Sequence, residues 1–170
     1  FTVLRNPMEI VVTAYSKMKT NAKGNFTNPN LFKENGGHIT KIQRLKYNFI
    51  KDNHATFQEY FLKFYKNPYD NLSSITLNKC DFIIKYDDIE KDYILALEKA
   101  GINNPSPLPV ANKTEGKEKE LSFYYSHDVR DRAISVFGPF MQKYNFDFPI
   151  NWQNVNIPLI SIIRFNVFGV

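Results

Sequence analysis

A short strand, Phe1-Thr2-Val3-Leu4, runs straight into Arg5-Asn6-Pro7-Met8-Glu9, an ordinary helix-start signal, with no intervening loop. Asn6 can accept from the first free backbone amides of a helix, and Pro7 has no amide to leave unpaired. Glu9 stands three residues after the cap, so the spacing predicts a capping box and a helix from Pro7 to about Thr20. A second unit of this kind follows. Residues 81–86 read as a short buried strand, and Asp87 with Glu90 opens a helix. The inner face of that helix is Ile89, Tyr93, Ala96, Leu97 and Ala100, and Gly101 ends it. Strands that alternate with helices predict an α/β layer architecture around a parallel sheet.

The rest of the chain supplies further helices and two long connections. Phe57, Phe61, Leu62 and Phe64 or Tyr65 recur at helical spacing until Asn67-Pro68 stops the run, which marks a core helix. Ser126 caps a last helix reaching about Tyr144. Residues 21–40 hold Gly24, Pro29, Gly36 and Gly37 among many Asn, and residues 103–120 hold Pro105, Pro107, Pro109 and a run of Lys and Glu. Both read as loops, and a loop of such length in a domain is commonly a functional one. Residues 149–170 carry no motif and read as a tail of unknown role. At 170 residues the chain is one domain or part of a larger one. It opens inside a strand without an initiator Met, so the expectation is a piece of a longer protein whose earlier part holds the start of the sheet.

Composition narrows the class. With 43% hydrophobic and 23% charged residues, disordered, collagen-like and coiled-coil chains are excluded. The longest apolar run, 157–163, contains Pro158 and Ser161 and is far below the roughly 18 residues of a membrane span. Cys80 stands alone, which forbids an intrachain disulfide and leaves too few thiolates for zinc, so no metal is expected and Cys80 reads as a small core residue.

The net charge of +5 is unevenly spread. Residues 17–51 carry Lys17, Lys19, Lys23, Lys33, Lys41, Arg44, Lys46 and Lys51 against Glu34, an excess of +7, while residues 52–170 are slightly acidic. Such a segment favours an anionic partner, with a solvated lysine-rich loop as the alternative. Arg5 adds a more focused signal. It lies where a strand ends and a helix begins, and ligands of open parallel sheets gather at the carboxyl ends of strands. The positive end of the helix dipole, the guanidinium fork of Arg5 and the hydroxyl of Thr13 all favour a phosphate there.

At this point the residues resemble a family. FTVLRNPMEIVVTAY, residues 1–15, looks like the 3′-phosphate-binding strand and helix of the sulfotransferases that use 3′-phosphoadenosine 5′-phosphosulfate, whose pattern is Arg-Asp-Pro followed by Ser-x-Tyr. DFIIKYDDIEKDY, residues 81–93, is similar to the family's strand and acidic helix start, and the stretch from Phe123-Tyr124-Tyr125-Ser126 to Phe146 resembles its closing helix. The resemblance spans about residues 1–148, the C-terminal portion of such a domain, and is nearest to the carbohydrate-type branch. Asn6 replaces the usual Asp and Thr13 the usual Ser, which keeps the cap and the hydroxyl.

That resemblance implies a P-loop-NTPase-like parallel sheet flanked by helices, present here as a partial domain. It implies transfer of a sulfuryl group from 3′-phosphoadenosine 5′-phosphosulfate to a hydroxyl or amine of a carbohydrate-type acceptor, without a metal and without nucleic acid or membrane contact. Arg5 and Thr13 would anchor the donor. Asn112, Lys113 and Thr114, in the loop before the closing helix, are secondary candidates for covering the nucleotide, with a plain surface loop as the alternative. The loop for the 5′-phosphosulfate and the catalytic groups would lie upstream of Phe1. Lys33, Lys41 and Lys46 are candidates for recruiting an anionic or polyhydroxylated acceptor. A competing reading is a non-catalytic α/β module that binds polyanions through residues 17–51. A nucleotide kinase would need a phosphate loop with its Lys and acidic metal ligands, and the sequence holds neither.

All three histidines read first as non-catalytic, with His127 facing water, and His38 in the basic loop and His54 before a core helix are the ones worth testing as a catalytic base. Sequons at Asn25, Asn71 and Asn112 invite a secretory assignment and hence, in a eukaryote, the Golgi lumen. Nineteen Asn and sixteen Ser or Thr produce about two such matches by chance, so the sequons decide little. Richness in Lys, Asn and Ile with a single Cys favours a bacterial or viral cytoplasmic protein.

Overall fold

The structure is a computed structural model that describes residues 1–70, 77, 79–103, 106–108 and 120–168. Strand β1 (Thr2–Leu4) turns at Asn6 into helix α1 (Pro7–Lys19), and the Asn6 side chain accepts from the Met8 amide at 3.0 Å. The cap is as expected. The capping box is replaced by another contact, because the Glu9 carboxylate pairs with Arg5. Leu4, Met8, Val11, Val12, Tyr15 and Met18 are buried, so one face of this first unit is core along its whole length.

Strand β2 (Ile83–Lys85) lies parallel to β1 in the register Thr2 to Ile83, Val3 to Ile84 and Leu4 to Lys85. A 3₁₀ turn, Tyr86–Asp88, leads into α4 (Ile89–Lys99), and Gly101 closes that helix in the left-handed region at φ +80°. Between the two strands lie α2 (Lys41–Asp52) and α3 (Phe57–Phe64). After them come α5 (Leu121–Tyr124), α6 (His127–Lys143) and α7 (Leu159–Phe168). The chain is thus a mixed α/β fold, mostly helical, with a two-stranded parallel sheet among the described residues.

Several expectations are corrected. The second strand has three residues instead of six, because the chain turns at Tyr86. Ala100 is exposed, since it caps α4 instead of joining its inner face. Cys80 is half-buried instead of a core residue. Residues 21–40 contain three short 3₁₀ turns, Ala22–Gly24, Pro29–Leu31 and Lys33–Asn35, and a single bridge between Phe32 and Ile39. Lys41 and Lys46 belong to helix α2 and not to a loop. The tail contains α7, whose Phe165 is buried and meets the Phe140 ring at 6.5 Å.

The core is aromatic. Phe61 stacks on Phe57 and Phe137 and meets Tyr125 edge-on at 5.2 Å, which ties α3 to α6. Buried phenols find hydrogen-bond partners, as such groups must, and two of them reach backbone carbonyls. Tyr125 donates to the Met8 carbonyl at 3.0 Å and Tyr15 to the Ala55 carbonyl at 2.8 Å. Burial pushes the Tyr60 and Tyr125 hydroxyls well above the ordinary phenol range, so both stay neutral. Among the described residues no helix is long and apolar enough to cross a membrane.

Candidate anion-binding site

Arg5 follows the last residue of β1 and Tyr86 the last residue of β2. Parallel pairing of Leu4 with Lys85 therefore brings Arg5 and Tyr86 side by side, and the guanidinium carbon lies 4.8 Å from the centre of the Tyr86 ring. Residues 9 and 13 continue from position 5 at intervals of four, which stacks them on one side of α1. Arg5 Nη2 donates to Thr13 Oγ1 at 3.3 Å, so the two residues proposed from sequence to share a ligand do stand together.

Glu9 stands with them. Its Oε2 accepts from Arg5 Nη2 at 3.0 Å and from Nε at 3.3 Å, and both partners are about one-quarter exposed. Nη1 of the fork makes no hydrogen bond among the described residues. Thr13 is buried, so its hydroxyl is held by packing. Asn6, also buried, donates to the Asp147 carbonyl at 3.4 Å. Lys85 donates to the Asn145 carbonyl at 2.6 Å, which fastens the exit of α6 to the carboxyl end of the sheet.

Chemically the cluster is a cation, a hydroxyl and a helix N-terminus arranged for an oxyanion, with one carboxylate offsetting the charge. Sequence reasoning missed Glu9 by giving it a capping role. Its spacing of four from Arg5 was the signal that could have found it.

Comparison with family models, with curated proteins and with solved structures finds no match. The site is therefore read on its own geometry.

Other candidates fall elsewhere. His38 and His54 are exposed, with His54 in left-handed backbone at φ 50° between α2 and α3, and no described hydrogen bond links either to Arg5. His127 is exposed at the start of α6, as expected. Lys33 and Lys41 are exposed. Lys46 is half-buried, with Nζ 4.6 Å from the centre of the Tyr65 ring and 3.4 Å from its hydroxyl. It is engaged with the aromatic core instead of presented to solvent. Arg44 pairs with Glu34 and lies over the Phe32 ring, so one of the eight cations of the segment is held within the fold. Asn112, Lys113 and Thr114 lie outside the described residues.

Proposed function

We propose that this chain binds the 3′-phosphate of an adenosine 3′,5′-bisphosphate-type nucleotide at Arg5 and Thr13, as the donor-anchoring part of a sulfotransferase acting on a hydroxyl-bearing, carbohydrate-type acceptor. The observation that carries the reading is the 3.3 Å contact by which Arg5, at the carboxyl end of β1, reaches along α1 to Thr13 in the middle of that helix. A phosphate there meets the guanidinium fork, the Thr13 hydroxyl and the positive end of the α1 dipole. Sulfuryl transfer relies on positioning and on stabilising charge at the bridging oxygen, and an anchor of this kind supplies the positioning.

Calorimetric titration of the chain with adenosine 3′,5′-bisphosphate tests this. Arg5→Ala should weaken binding roughly ten- to a hundredfold, the effect of about 1.5–3 kcal/mol for a charge-assisted contact. Thr13→Val, which keeps the volume and removes the hydroxyl, should weaken it about fivefold. Glu9→Gln should tighten binding about three- to tenfold, because it retains an acceptor for Arg5 while removing a negative charge beside the phosphate. No binding by the unaltered chain, with heparin still bound, would replace this reading by that of a polyanion-binding module.

A further inference from the structure

We propose that helix α7 is the contact surface of a symmetric dimer, in which the outer apolar stripe of one copy packs against that of a second copy of this chain. Along Leu159–Phe168 the inward residues are Ser161 and Phe165, four apart and both buried. Leu159, Ile160, Ile163 and Val167 lie on the opposite side of the helix, at intervals of one, three and four, and are between 48 and 70% exposed. A helix that is apolar on both faces is ordinarily covered on both. Here α6 covers one face, and water meets the other.

Area and charge argue for a second copy as the occupant. The four side chains expose about 450 Å² together, the size of the largest apolar patch on an ordinary monomer, which is often a functional one. Two such stripes, with the flanking Arg164 and Asn166 as rim, bury about 1,000 Å², the lower bound of a specific protein interface. The stripe itself carries no charge, so a two-fold pairing about Ile163 sets Leu159 of one copy beside Val167 of the other without bringing like charges into its centre. Lipid is the poorer match. Helices that lie on membranes carry several Lys or Arg beside the apolar face, and α7 has Arg164 alone.

An interface of this size predicts a weak dimer, with a dissociation constant of about 1–100 µM. Sedimentation velocity on the full chain from about 5 to 500 µM should show the mass rising from 19.9 kDa toward twice that value. Ile163→Asp should hold it monomeric throughout that range, raising the dissociation constant at least tenfold. Val167→Asp provides a second, more peripheral variant, and circular dichroism checks that both remain helical. A chain that stays monomeric at 500 µM would overturn the proposal, as would a dimer that survives both substitutions. Ile163-dependent sedimentation of the monomer with phosphatidylcholine–phosphatidylserine vesicles would overturn it in favour of lipid.

Discussion

Replacing Phe61 with alanine should cost about 3–5 kcal/mol and lower the melting temperature by roughly 10 °C or more. The ring is fully buried and lies among four others: Phe57, Tyr65, Tyr125 and Phe137. Truncation removes the transfer energy of the ring and leaves a hole that its neighbours cannot fill, because they are fixed by their own contacts. Tyr125 is held by its bond to the Met8 carbonyl, and Phe137 sits in α6 with no freedom to advance. Urea denaturation would measure the loss. Phe61→Leu, which fills most of the space, should recover at least half of it. A loss below about 1 kcal/mol for the alanine variant would mean that α3 does not pack on α6 as described.

The second large effect is expected at Gly37, from a cause unrelated to backbone angles. A Cβ at this position would lie 2.1 Å from the Leu31 carbonyl carbon and 2.3 Å from its Cα, so the two backbone segments would have to part. Parting them breaks the bond from the Ile39 amide to the Leu31 carbonyl and that from the Gly37 amide to the Phe32 carbonyl, and it exposes the buried Ile39. Two backbone hydrogen bonds at about 1 kcal/mol each, with part of an isoleucine's burial, amount to about 3–4 kcal/mol for Gly37→Ala. Gly24→Ala is the control. Its φ is +68° but the space beside it is open, so the cost should be confined to about 1 kcal/mol of backbone strain. Equal losses in the two variants would refute the close approach of Leu31.

What could be read in the sequence was whatever depends on neighbours along the chain. The start of α1 follows from Asn6 and Pro7, the start of α3 from Thr56, and the end of α4 from Gly101, since caps and stops act over three or four residues. The meeting of Arg5 with Thr13 was legible for the same reason, since only eight residues separate them, one just before the cap of α1 and one within it. Helix α2 was missed because its many lysines and its arginine suggested a solvated loop. The signal lay in Thr40 with Gln43, which form a complete capping box, and in the buried pair Tyr47 and Ile50. The position of Tyr86 over Arg5 could not be read, because it depends on the register of two strands far apart in sequence. Lys46 was misjudged on similar grounds. Its place against Tyr60, Phe64 and Tyr65 is set by how α2 crosses α3, which no local pattern encodes.

The register of the sheet also orders events in time. Thr2 meets Ile83, so the first strand bond closes a loop of about eighty residues, at an entropic cost of about 4 kcal/mol before any strand contact offsets it. The step from α2 to α3 spans only Asn53–Thr56, so their aromatic faces meet almost as soon as the helices exist. Refolding should accordingly proceed from the helical layer to the sheet, with amides of α2 and α3 protected in pulse-labelling exchange before those of β1 and β2. The stacking of Arg5 on Tyr86 then forms last, because it needs the two strands to pair, whereas the contacts of Arg5 with Glu9 and Thr13 are local and form with α1.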